Sequence, residues 1–304
     1  AAILLEQFGK TLVPEPYTAS VVLGGMAVAH AGNDAQQKEL LGPMVEGETS
    51  LALAWAERNS RYDAEAIATT AEKSRGAYVL RGEKVWVLNG HAADHLIVSA
   101  KTGSGVSLFA MHKGTKGLGV KSVRTMDGGR AATVTLEGAQ GALLGEEGQA
   151  GPILDHVLDK AAAAACAEGL GIAQTVLWMT VEYLKTRKQF GVPIGIFQAL
   201  QHAAVDMFVQ TELLKGTSIL ASAKADDEDV SERHRAVSAA KVQLAKGGFS
   251  VVAQSIQLHG GVGVTDEHDV SLDFQRMRVL QALFGDEQHH VARYMALPGF
   301  TAGV

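Results

Sequence analysis

The sequence holds a single cysteine, Cys166, among 304 residues. One thiol makes no internal disulfide, which points to a reducing, cytoplasmic setting. Cys166 lies in the run KAAAAACAEGLG with no polarising partner near it, so it reads as a small helix-packing residue and not as a nucleophile. Basic runs are also missing. Lys and Arg number 27 against 33 Asp and Glu, a net charge of -6, which argues against nucleic acid as a partner. No apolar stretch reads as long enough to span a membrane, and the chain opens on the helical pattern AAILLEQFGK instead of a charged-then-apolar leader. No GxGxxG follows a strand and no GxxxxGK[ST] occurs, which excludes the standard dinucleotide and nucleotide loops. The glycines of GGVGV follow a helix, the wrong context for such a turn.

What is present changes period twice. Residues 1–47 read as helices: AAILLEQFG, YTASVVLGGMAVAHAG and DAQQKELLGPMVEG space their apolar residues by three and four. Asn33 and Asp34 are the expected cap of the third, and Gly47 its end. Over residues 48–150 the period becomes two. SLALAWAE, EAIATTAEK, AYVLRGEKVWVLNG, HLIVSAKT, VSLFAMHK, VKSVRTMD and ATVTLEGA are strand-like runs punctuated by Gly or Asn-Gly, and their even spacing predicts an antiparallel barrel or sandwich. Over residues 151–304 the helical period returns in long segments with short connections, which predicts a four-helix bundle. The acidic run DDED at residues 226–229 reads as a solvated loop and helix cap. The fold class expected is α+β, multidomain: helices, a β domain, then the bundle.

Specific segments then carry a resemblance. TRKQFGVPIGIFQALQHAAVDM (residues 186–207) resembles the R-K-x-F-G…F-Q-x-x-Q-x-x-x-A-D-M stretch of the acyl-CoA dehydrogenase family. QLHGGVGVTDEHDV (257–270) resembles its L-G-G-x-G turn, and LRGEKVWVLNG (80–90) its G-x-K-x-W-I-T-N-G. AHAGNDAQQKELLGPMVEGE resembles the helix before the β domain. The likeness runs in order along nearly the whole chain; relative to the family pattern, the first N-terminal helices are missing. It implies FAD bound between the β domain and the bundle, an acyl-CoA substrate, electron-transfer flavoprotein as electron acceptor, and a homo- or hetero-oligomer sharing FAD across subunits. By similarity Arg187 reaches the flavin diphosphate of a neighbouring subunit. Phe190, Gln198, Gln257, Gly260 and Gly261 carry over as cofactor neighbours, and Trp86 stands beside the isoalloxazine. Without the resemblance, Arg187 reads as a helix C-terminal charge and Trp86 as a core residue.

The departures matter as much. The loop T-E-P-x-A-G-S-D of the family reads AERNSRYD here, residues 56–63, with Glu57 and Asp63 matching and Ala56 and Tyr62 not. Leu88 replaces a Thr beside the flavin ring. The reaction needs a carboxylate to take the α proton of the thioester. The usual Glu falls on Phe284, and the alternative position on the first bundle helix falls on Ala161. Three explanations stay open. Asp286 or Glu287 is the base; or the chain is the degenerate subunit of a heteromeric dehydrogenase; or it resembles the flavin monooxygenase branch, with His289 or His290 in the site. Gly285 fits a turn against the thioester, and Asp286 and Gln288 occupy positions that touch FAD in relatives. Otherwise His289 and His290 are helix N-terminal residues on a solvated or interface face.

Overall fold

Residues 1–74, 76–265 and 267–299 are described by the structure, a computed structural model. The chain divides into two units, Pro14–Ala161, and Ala1–Val13 with Ala162–Val304.

The first unit opens with a π-helical turn, Thr18–Gly25, that runs into α2 (Met26–Ala31), α1 (Ala2–Thr11) belonging to the other unit. α3 (Asp34–Val45) starts at a reciprocal cap. The Asn33 side chain accepts the Gln36 N–H at 3.0 Å, and the Gln36 side chain accepts the Asn33 N–H at 3.1 Å. Strands follow: β1 (Leu51–Ala54), β2 (Thr70–Ser74), β3 (Ala77–Leu88), β4 (His95–Thr102), β5 (Gly105–His112), β6 (Leu118–Arg124) and β7 (Arg130–Leu144). They form one sheet in the order β1-β4-β2-β3-β7-β5. Pairing of β5 back to β4 closes the ring, and β6 extends from β7. Closure removes the exposed edges of the ring strands. Leu80, Leu96, Val98, Phe109, Met111 and Val134 fill its core.

Two details differ from the sequence expectation. The sheet is not wholly antiparallel, since β4 runs parallel to β1 and to β2. The intervening β2–β3 hairpin is the long crossover that parallel pairing needs. The run EAIATTAEK is strand only from Thr70. Its earlier amides are taken by carboxylates: Asp63 accepts the N–H groups of Glu65 and Ala66, and Glu57 those of Ala68 and Thr69. Amides bonded to side chains cannot join a ladder.

The second unit is helical. α4 (Ala150–Thr186) crosses the boundary between the units. A small hairpin of β8 (Lys188–Gln189) and β9 (Val192–Pro193) leads to α5 (Gln198–Lys224) and α6 (Val230–Gln243). A π segment, Leu244–Gly248, joins α6 to α7 (Phe249–His259), so the single helix expected there is interrupted. α8 (Asp269–Ala282) and α9 (Glu287–Met295) finish the described fold. Asp229 caps α6 through the N–H groups of Ser231 and Glu232, as the acidic run suggested. By length and composition alone α4 is apolar enough to cross a membrane, contrary to the sequence expectation. Its most apolar window is 78% buried inside the protein, the behaviour of a core helix. Cys166 lies there, and burial pushes its thiol up to about 12, far from a thiolate.

α1 and α4 cross closely. A Cβ on Gly171 would lie 2.0 Å from the Glu6 carbonyl oxygen, and one on Gly9 2.0 Å from that of Glu168. Gly171→Ala should therefore lower stability by about 1–3 kcal/mol, read as a lower urea midpoint. Glu168 also holds α8, accepting two bonds from Arg276 at 2.6 and 3.1 Å.

Asp273 on α8 is 3% exposed, and burial, with the Asp269 charge beside it, raises its carboxyl to about 7. The folded state thus holds this proton more tightly than the unfolded chain does. The stability tied to it is present below pH ~4 and lost as pH rises through about 7. Asp273→Asn should stabilise the protein by on the order of 2 kcal/mol at pH 8 and by little at pH 4.5, in paired thermal melts.

Candidate active site

The residues singled out from the sequence fall on both units, and each half has its own geometry. On the barrel, β3 carries a register shift between Lys84 and Val87. A bulge of this kind breaks strict alternation. Lys84, Val85 and Val87 are buried, while Trp86 turns outward, 61% exposed at φ 54°. A large aromatic held in the left-handed region and left open to solvent is a ready planar contact. Leu88 is half-buried at the end of β3. Ala56 is buried, and its carbonyl accepts the Val85 N–H.

Glu57 and Asp63, the two acids of the 56–63 loop, work within the chain. Asp63 closes a turn. Glu57 Oε1 accepts from Lys84 Nζ at 2.8 Å and from the Thr69 hydroxyl at 2.6 Å. Lys84 is fully buried and also donates to Ser99 Oγ (3.0 Å) and the Trp55 carbonyl (3.3 Å). Burial lowers the Lys84 ammonium to about 8 against the pull of Glu57. Burial raises the Glu57 carboxyl, but bonds from Lys84, Thr69 and Ala68 outweigh it and hold it below the usual value.

On the helical unit, α4 ends at Thr186 and Arg187 stands exposed just beyond it. The hairpin after it presents Phe190, 90% exposed at φ 54°, edge-on to Phe197 with ring centroids 6.1 Å apart. Gln198 is exposed in the first turn of α5, and Gln257 in the last turn of α7. α7 stops because Gly260 takes φ 64°, ψ -139°, a conformation open to glycine. A Cβ on Gly260 or Gly261 would meet nothing within 4 Å. This turn is open rather than packed.

The turn after α8 is the reverse. Phe284 is 8% exposed at φ 59°, and Gly285 follows at φ 117°. Asp286 caps α9, its Oδ1 accepting the His289 N–H at 2.9 Å. Glu287 pairs with Lys246 at 3.1 Å. Gln288 is exposed and Ala161 fully buried. His290 does not lie on a solvated face. It is fully buried, with Nε2 3.0 Å from the Phe284 carbonyl and Nδ1 3.3 Å from Ser238 Oγ. Burial holds its pKa far below the ordinary imidazole value, so the ring is neutral.

The acyl-CoA dehydrogenase middle-domain family model matches residues 52–138, and the C-terminal-domain model matches residues 152–296. A short-chain-specific acyl-CoA dehydrogenase of Megasphaera elsdenii is 29% identical over 286 residues, spanning 89% of this chain and 73% of that protein. Among solved structures, a variant of the Tcur3481-Tcur3483 steroid ACAD superposes with a TM-score of 0.87 at 31% identity, covering 96% of this chain and 78% of that one. The ChsE4-ChsE5 complex of Mycobacterium tuberculosis gives 0.85 at 27% identity, over 96% and 78%. The chain belongs to the acyl-CoA dehydrogenase family.

As a member of the acyl-CoA dehydrogenase family it is a flavoprotein oxidoreductase whose cofactor is FAD. The donor set suits that group. Among the described residues no ion pair engages the Arg187 guanidinium, and a planar bidentate donor matches a diphosphate. Phe190, Gln198 and Gln257 are each exposed, and the Gly260–Gly261 backbone is open, as residues that would hold a planar, anionic ligand need to be. The buried roles of Lys84 and Lys241 were not anticipated from the sequence. The signal was there for Lys241. It sits on the apolar stripe of α6 with Val237 and Leu244, where a lysine must find an internal partner.

Proposed function

We propose that this chain is the base-deficient subunit of a heteromeric, FAD-dependent acyl-CoA dehydrogenase. The observation that carries this is Phe284, a buried apolar side chain at the turn where the resemblance requires the carboxylate. The neighbouring acids do not make good the loss. Asp286 holds the first turn of α9, and Glu287 is paired with Lys246. In this reading a partner chain supplies the Glu and much of the isoalloxazine pocket. This chain supplies Arg187, Gln257 and Gly261 to the FAD of that partner. When bound, FAD would supply the acceptor for the β hydride, with an electron-transfer flavoprotein as the expected electron acceptor. Two solved relatives, Tcur3481-Tcur3483 and ChsE4-ChsE5, are named for pairs of proteins, which supports the two-chain form.

The test is anaerobic flavin bleaching by acyl-CoA. The chain alone with FAD should not bleach, and addition of the product of a neighbouring gene should restore bleaching. Bleaching by the chain alone sinks the proposal. Asp286→Asn separates the two acid roles. Asn caps a helix as well as Asp does, so stability should hold within a few tenths of a kcal/mol, roughly. Bleaching by the complex should also be unchanged; its abolition would make Asp286 the base.

A further inference from the structure

Two buried titratable side chains close on residues 283–286, between α8 and α9, and the chemistry above uses neither. Lys241 on α6 is 1% exposed. Its Nζ donates to the carbonyls of Leu283 (2.7 Å), Leu280 (2.8 Å) and Gln281 (3.4 Å). The final carbonyls of a helix have no partner within it, and an ammonium has three protons to offer them. Lys241 is therefore the C-terminal cap of α8, supplied from another helix.

His290 closes the other side. A carbonyl only accepts, so the Nε2 facing Phe284 O carries the proton and Nδ1 accepts from Ser238. Arg293 Nε donates to Ser238 Oγ at 2.8 Å, which leaves the hydroxyl proton for His290. The relay runs Arg293 to Ser238 to His290 to the Phe284 carbonyl. Ser238 and Lys241 both stand on α6, so one helix anchors both sides. Between them the chain takes a conformation it would not choose. A non-glycine residue at positive φ costs on the order of 1 kcal/mol and persists where its surroundings over-determine it. A Cβ on Gly285 would lie 2.4 Å from His290 Nε2, so the ring itself admits only glycine.

We propose that Lys241 and His290 are positioning residues that set the backbone at position 284 through main-chain carbonyls, whatever side chain stands there. The functional half rests on the reading of position 284 as the base position. The clamp grips the main chain, so the turn stays formed around a phenylalanine and will hold a carboxylate in the same place.

The experiment has two arms on the FAD-loaded full chain. Hydrogen exchange over residues 280–291 should be about tenfold faster or more in Lys241→Met and in His290→Gln, with the barrel strands unchanged. Ser238→Ala breaks the relay without touching a charge, and should shift the same peptides less should either variant fail to fold. Unchanged exchange there overturns the clamp. In the second arm, Lys241→Met or His290→Gln is added to Phe284→Glu. Flavin reduction should fall about 10²-fold with KM for acyl-CoA little moved. Gly171→Ala, destabilised elsewhere, should show no such split. Faster exchange without a rate loss overturns the positioning role. An inactive Phe284→Glu parent counts against the base reading, and the exchange arm still decides the clamp.

Discussion

On the proposed reading, Phe284→Glu should give the chain, assembled with its partner and loaded with FAD, an acyl-CoA-dependent bleaching phase beyond the partner's own, faster by about 10²–10⁴-fold than at the same site with phenylalanine, in anaerobic stopped flow. The magnitudes single out this residue. Beside the missing base, the chain lacks a hydroxyl at Ala56 and another at Leu88. A lost neutral hydrogen bond is worth about 1 kcal/mol, roughly fivefold to tenfold each. A correctly placed general base is worth several times that in free energy. On the proposed reading the base is the largest of these three deficits, and Leu88→Thr added to Phe284→Glu should contribute only about another tenfold. The backbone at 284 already has the required support, since its carbonyl is held by His290 and Gly285 follows without a Cβ. No gain in either variant would mean that position 284 is not where the proton is taken.

Glu57→Ala should be the most damaging single change in the barrel unit, costing about 3–5 kcal/mol. It strands the Lys84 ammonium, fully buried with only Ser99 Oγ and the Trp55 carbonyl left to it. It also removes the acceptor of the Ala68 and Thr69 amides that starts β2 where it does. For a unit of this size the loss is a fall in melting temperature of roughly 6–20 °C. Lys84→Met with Glu57→Ala should recover part of that fall, because the stranded charge is the larger share of the cost. A double-variant loss equal to the sum of the two single losses would show that the pair is not coupled. The pH dependence has a definite sign. The folded ammonium titrates near 8, below its unfolded value. Between about pH 8 and 10.5 the unfolded chain holds more protons, so this group makes stability rise with pH across that window.

The helices, the strand runs and the cap at Asn33 were legible because each depends on neighbours in sequence: apolar periodicity, Asn-Gly turns, a short polar residue three before a glutamine. The family was legible for a related reason. TRKQFG and QLHGGVG are local strings that end helices and turn the chain, FQALQHAAVDM opens one, and each marks a residue the structure leaves open, Arg187, Phe190, Gln198 or Gly260–Gly261. The absence of a carboxylate at 284 was equally plain, since a missing functional group is a property of composition.

What sequence could not reach is the partnership of groups far apart in the chain. Lys84 meets Glu57 across 27 positions, and Lys241 meets the end of α8 across about 40. His290 reads as a polar residue near a helix start, yet it is wholly buried because α9 packs onto Ser238 of α6. Burial and pairing are set by the closed barrel and the packed helices together, and a charge in a low-dielectric interior is decided by what else is there. By itself the sequence determined the order of elements, the family, and that a phenylalanine stands at position 284. Tertiary structure alone decided that Glu57 is an anchor, that Asp286 is a cap, and that the backbone around Phe284 is held from both sides, by Lys241 of α6 and by His290 of α9.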